Sequence, residues 1–219
     1  MAGRPAPWRP ATWPRGVRRT VAVTGVVLLI ALVAIWSQLS GAAGGAQPVQ
    51  TGDDAVTDRV DITATIVRVD PAGGELTLRL LVVPRGALTT EGGLSPTEDL
   101  EILTSVAMKT DPFFPAGERI GTVDVPVALG GTGITAYPFD RYTASIELTA
   151  RQGGTVVPVH VTFSNRDALF AASADAYTEG GAGVVELGLG RSAGVLTFAI
   201  FMVVAMWALA IAVASAAWF

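Results

Sequence analysis

The sequence predicts a mainly β protein with transmembrane α segments: an antiparallel, immunoglobulin-like β-sandwich between an N-terminal and a C-terminal transmembrane helix. Three observations carry this. Two long stretches, residues 21–39 and 193–219, contain no charged residue. Between them, apolar residues recur at every second position in one run after another, the period of a half-buried strand. The charges are also divided: five arginines and no acid precede Asp53, whereas all nineteen acids lie from Asp53 to Glu186 and the other ten bases from Arg59 to Arg191. Only 16% of the chain is charged and 50% is hydrophobic, against about 25% charged in an ordinary soluble domain.

Residues 1–20 form a basic head, and an excess of arginine marks the cytoplasmic side of a membrane helix. Residues 21–39 follow directly on Arg18-Arg19 and carry Trp36 near their far end. At 1.5 Å per residue they reach roughly 28 Å, enough for a hydrocarbon core of about 30 Å. A cleavable signal peptide is the alternative for this stretch. Its apolar run is long for one, the usual length being about 7–15 residues. Residues 40–55, rich in Gly, Ala and Gln, read as a flexible linker.

The β-domain is expected over 56–191, on the extracytoplasmic side. Val60, Ile62, Ala64 and Ile66 alternate with polar residues. Asp70-Pro71-Ala72-Gly73-Gly74 then turns the chain, and Leu76, Leu78, Leu80 and Val82 form the returning strand of a hairpin. Residues 99–106 and 119–129 are further strands, with Pro126 placing the second at a sheet edge. Asp111-Pro112-Phe113-Phe114-Pro115 is a rigid connection that tucks a phenylalanine under the sheet. Tyr142, Ala144, Ile146 and Leu148 share one strand face. Val157, Val159, Val161 and Phe163 share the next, on one continuous strand. Residues 169–177 and 183–189 complete the set. Seven or eight short strands with dense turns suit a sandwich.

The densest stretch is Tyr137, Pro138, Phe139, Asp140, Arg141 and Tyr142. As a structural corner, Pro138 sets the turn, the three aromatics fill the end of the sandwich, and Asp140 caps the turn or pairs with a nearby arginine. As a coupling loop, the same residues join the sandwich to the membrane helices. This stretch, lying between strands and followed by an apolar helix, resembles an actinobacterial membrane-protein family catalogued as domain of unknown function 4436. The resemblance implies an N-terminal span, an extracytoplasmic β-region with a Tyr-Pro-Phe-Asp stretch and several C-terminal spans, with no assigned activity. Arginine outnumbering lysine fourteen to one suits such a high-GC source. Pro138-Phe139-Asp140 is also similar to the loop of pentameric ligand-gated channels that faces their membrane spans.

Residues 193–219 read as a second transmembrane helix. Ala208, Ala212 and Ala216 lie along one of its faces, a small-residue stripe suited to self-association or to another membrane protein. The chain ends at Trp218-Phe219 without a following Lys or Arg, so further segments are expected beyond it.

Little points to chemistry. There is no cysteine, hence no disulfide, thiol nucleophile or thiolate metal site. The acidic body lacks the basic footprint of a nucleic-acid binder. His160 is the single histidine; it alternates with the apolar residues of its strand and reads as a surface residue. No Gly-x-Ser-x-Gly elbow accompanies it. The glycine-rich stretches 130–133 and 180–183 lack the Gly-Lys-Ser/Thr of a phosphate loop. The expectation is therefore a non-enzymatic protein without cofactor or metal, in the cell membrane. Its role would be structural, sensory or protein-binding, the alternative being a subunit of a gated channel or transporter.

Overall fold

A computed structural model describes Trp36 and residues 48–90, 92–105 and 111–217. Among the described residues twelve strands and one long helix follow in chain order: β1 (Val49–Thr51), β2 (Val60–Asp70), β3 (Glu75–Pro84), β4 (Leu100–Thr104), β5 (Phe113–Phe114), β6 (Val123–Ala128), β7 (Gly130–Gly131), β8 (Arg141–Gln152), β9 (Thr155–Val157), β10 (Val159–Asn165), β11 (Phe170–Glu179), β12 (Ala182–Arg191) and α1 (Ala193–Ala217). The basic head, the expected N-terminal span 21–39 apart from Trp36, and the first half of the linker lie outside the described residues.

The strands make two sheets. One runs β1-β10-β2-β3-β6; the other runs β11-β12-β8-β4-β5, with β7 and β9 also pairing β8. The β2–β3 hairpin forms where its alternation and turn chemistry agree. The Asp70 carboxylate accepts hydrogen bonds from the amides of Ala72 and Gly73 at 3.1 and 3.0 Å. A bulge between Ile66 and Arg68 resets the alternation, so that Ile66 and Val69 both face inward. Among the described residues strand β6 pairs β3 alone, so Pro126 sits on an edge, the position in a sheet that tolerates a residue without an N–H.

One buried cluster spans both sheets. Ile62, Ile66, Leu78 and Leu80 come from the first, and Leu100, Ile102, Ile146, Leu148 and Leu187 from the second. Each such side chain contributes about 1.5–3 kcal/mol by leaving water, which matters in a chain with no disulfide.

Three expectations change. The sheets are not wholly antiparallel: β10 runs parallel to β2. The run read as one strand through Val157 and Phe163 is cut at Pro158. Residues before the proline pair with β8 and residues after it with β2. Proline has no N–H to continue a ladder, and its carbonyl is taken by the Val60 amide at 2.9 Å, which steers the chain from one sheet to the other. Finally, the linker is not featureless to residue 55, because Val49–Thr51 adds to the open edge of β10 and Thr51 shares a hydroxyl hydrogen bond of 3.0 Å with Thr178. Of the two phenylalanines in β5, Phe114 is buried and Phe113 exposed.

Helix α1 has 25 residues, about 37 Å at 1.5 Å per residue. It is long and apolar enough to cross a membrane, and none of its most hydropathic 18-residue window is buried against the β-domain. Ala208 is exposed on it; the side chains of Ala212 and Ala216 lie outside the described ones.

Candidate functional site at the strand-to-helix junction

Five chain segments meet at the end of the β-domain from which α1 departs. Strand β8 begins there at Arg141, and β12 ends there at Arg191, paired through Arg141 and Gly190. Strand β11 begins there, with Phe170 opposite Arg191. The last residue of β10, Asn165, donates to the Phe170 carbonyl at 2.8 Å. Strand β1 enters from the same end, since Val49 lies opposite Phe163 near the end of β10.

Asp140 is the centre of this junction. Its side chain is fully buried and that of Arg191 is 10% exposed. The Arg191 guanidinium donates to both carboxylate oxygens, at 2.8 to 3.0 Å, a fork-on-fork contact of the strong, charge-assisted kind. The Tyr142 hydroxyl, two residues further on, donates to the same carboxylate at 2.9 Å. Arg191 also lies over the rings of Phe170, at 4.3 Å, and Tyr137, at 5.1 Å, positions that favour a cation. Tyr142 meets Phe170 edge-on with centroids 6.1 Å apart.

The electrostatics follow from burial and partners together. Burial pushes the Asp140 carboxyl up, but the hydrogen bonds from Arg191 and Tyr142 and the arginine's charge outweigh it and hold the group below the usual carboxylate range. Burial, then the adjacent Asp140 carboxylate, pushes the Tyr142 phenol up. Asp140 keeps Arg191 firmly charged. Asp140 is therefore ionised at neutral pH and neutralised within the site.

Sequence reasoning singled out residues 137–142 and divided their roles only in part. Asp140 does pair with an arginine, and the pair is buried. Of the three aromatics expected to fill the end of the domain, only Tyr142 does. Tyr137 and Phe139 are 50% and 69% exposed. They point toward α1 instead, and with Pro138 they form one wall of an apolar groove of about 550 Å³ whose other wall includes Phe198, Met202 and Val203. The Tyr137-Pro138 peptide is cis. Arg191 and Phe170 were missed. The available signal for Arg191 was its place as the last charged residue before the apolar stretch.

The loop is held from below by glycine. Gly131 pairs with Tyr142 in β7–β8 at φ +143°, and a Cβ there would strike the Arg141 carbonyl. The Thr132 hydroxyl accepts from the Arg141 amide at 3.0 Å.

Away from this corner, His160 is not an open surface residue. Its side chain is 15% exposed and stands 3.9 Å from Asp61, which is already bonded by Arg59 and Arg85, each at 2.7 Å. Among the described residues no group of three or more His, Asp or Glu side chains is placed to hold a metal ion.

The fold and this junction define a class: a mainly β domain in two sheets, closed by a charged corner, from which an apolar helix of membrane-spanning length departs. The chain belongs to the family described as domain of unknown function (DUF4436), whose model matches residues 50–189. The match ends two residues before Arg191, so it covers the β-domain and stops at the junction. No curated protein matches the chain.

Proposed function

We propose that this protein is a membrane-anchored extracytoplasmic β-sandwich, immunoglobulin-like in its packing, whose corner at residues 137–142 couples the domain to the membrane helix. One observation supports the reading above others. The buried partner of Asp140 is Arg191, and Arg191 is separated from Ala193, the first residue of α1, by Ser192 alone. A force or displacement on β8 therefore reaches the helix through three charge-assisted hydrogen bonds rather than through a slack connection. The role is structural, sensory or protein-binding and non-enzymatic, in the cell membrane, with the basic head cytoplasmic. Its partners are the bilayer and, along the face carrying Ala208, a second helix of this chain or of another membrane protein.

The test uses spin labels at Tyr177 and Met206 of the full chain in nanodiscs. Asp140→Asn is expected to broaden the distance distribution between domain and helix while the circular dichroism of the β-domain stays unchanged. An unaltered distribution, with only a lower unfolding temperature, reduces the corner to a packing feature.

A second reading is favoured by the same contact, because Pro138-Phe139-Asp140 is similar to the loop that faces the membrane spans in pentameric ligand-gated channels. In it the chain is one subunit of a gated channel or transporter. That reading requires a ring of fixed stoichiometry; native mass spectrometry of the full chain finding only monomer removes it.

A further inference from the structure

We infer that the tip of the corner, Tyr137-Pro138-Phe139, is immersed in the phospholipid bilayer that α1 crosses, so that the β-domain is seated on the membrane by two elements rather than one. The inference rests on the reading of α1 as a membrane anchor.

Position along the helix carries it first. The tip meets α1 between Phe198 and Val204, five to eleven residues beyond Ala193. That is about 8 to 16 Å along the axis. The interfacial layer on each side of a hydrocarbon core of about 30 Å is only about 5–8 Å deep. If Ala193 enters the membrane, the helix wall facing Phe139 lies within the acyl chains, and the groove between them is filled by whatever solvates that wall.

Chemistry agrees with position. Tyr137, Phe139, Ile134 and Leu169 are all half or more exposed, and all belong to loops at the end from which α1 leaves; the Leu169 carbonyl accepts from the Ser192 amide at 2.9 Å. The charged residues stand one level back. Asp140 and Arg191 neutralise each other, and exposed Arg141 has no ion pair among the described residues. An arginine above an aromatic tip is the layering of a membrane interface, with the cation at the phosphates and the rings beneath.

The backbone N–H groups of the tip are paired or turned inward, as immersion demands of donors. Irregular chain enters hydrocarbon only where its polar groups are satisfied. The amides of Ala136, Tyr137 and Phe139 donate to Gly133, Ile134 and Ala136 carbonyls at 3.3, 3.1 and 2.8 Å. Pro138 has no N–H. Asp140 is 1% exposed, so its amide does not face lipid, and the Arg141 amide bonds Thr132. From Ala136 to Arg141 the backbone presents no open N–H to lipid.

Because the chain has no cysteine, single-cysteine variants read out each site directly. Phe139→Cys, Met206→Cys and Tyr177→Cys, each carrying a bimane label in nanodiscs of phosphatidylcholine and phosphatidylglycerol, are challenged with doxyl-labelled phospholipid and with iodide. Immersion predicts that the labels at 139 and 206 lose fluorescence to doxyl lipid and resist iodide, while the label at 177, at the far end of β11, does the opposite. A label at 139 quenched by iodide, with 206 quenched by lipid, overturns the inference and leaves the anchor standing. A label at 139 reached by neither quencher overturns it too, placing protein in the groove, either residues 21–39 or a second copy. A label at 206 quenched by iodide refutes the anchor itself.

Discussion

Replacing Asp140 by asparagine keeps the shape of the side chain and removes its charge from a site with no access to water. Arg191 is then left nearly buried with two rings but no counter-ion. Removing one partner of a buried ion pair typically costs about 3–5 kcal/mol, because the surviving charge is uncompensated. Asparagine retains one acceptor oxygen, which favours the lower end. For a domain of this size each kcal/mol lowers the unfolding temperature by about 2–4 °C, so a loss near 3 kcal/mol is a shift of roughly 6–12 °C. The assay is thermal unfolding of the full chain followed by β-sheet circular dichroism. The double variant Asp140→Asn with Arg191→Met should recover part of the loss, since it removes the orphaned charge as well, and the cycle then gives a coupling energy. The pH dependence supplies an independent check. The folded-state pKa of Asp140 lies below its ordinary value, about 3.9 for an unfolded aspartate. Its contribution is thus complete above that value and is lost as the pH falls through the lower folded-state pKa. The variant has no such carboxyl, so the gap between the two proteins should be full at neutral pH and close below about pH 4. A loss under about 1 kcal/mol, the scale of an exposed pair, or a gap independent of pH, refutes the reasoning.

The same unfolding assay serves three further substitutions. Tyr142→Phe deletes one of the hydrogen bonds to Asp140 and should cost about 1–3 kcal/mol, less than the loss of the arginine's partner. Leu148→Ala, at a fully buried position of β8, should cost about 2–5 kcal/mol, whereas Leu81→Ala, on the exposed face of β3, should stay within about 0.5 kcal/mol; equal effects would mean the two sheets do not share the core described. Gly131→Ala forces a side chain against the Arg141 carbonyl at a φ that favours glycine and should cost about 1–3 kcal/mol, with loss of amide-exchange protection confined first to the start of β8.

The alternating strands were largely legible because strand burial is a local pattern. The period-two runs in β2, β3 and β8 are buried residue by residue as their spacing implies. Pro126 marked an edge because one missing N–H decides the matter locally. The same residue type misled at Pro158. An alternating run interrupted by proline reads as one strand, yet the two halves pair in different sheets. Likewise Val49–Thr51, with only three residues, gives no periodicity to read; it is a strand because β10 offers it an open edge.

At the corner the division is similar. Residues 137–142 stood out because three aromatics, a proline and two charges are rare in so short a stretch. Their local spacing, however, holds no information about solvent. Tyr142 and Phe139 are both aromatic and three residues apart, and one is buried against Phe170 while the other is exposed beside α1.

The sequence alone determined that this chain carries two uncharged apolar stretches around an acidic β-domain, where its main strands lie, and that its most unusual loop is at residues 137–142. Composition and periodicity are sums over neighbours, and such properties survive without a fold. The tertiary structure alone decided that β10 runs parallel to β2 and that Asp140 is buried. It also decided that the partner of Asp140 lies 51 residues away at the mouth of the helix. An ion pair between the start of β8 and the end of β12 exists only once those strands have paired, and no local pattern encodes which of ten bases a buried carboxylate will meet.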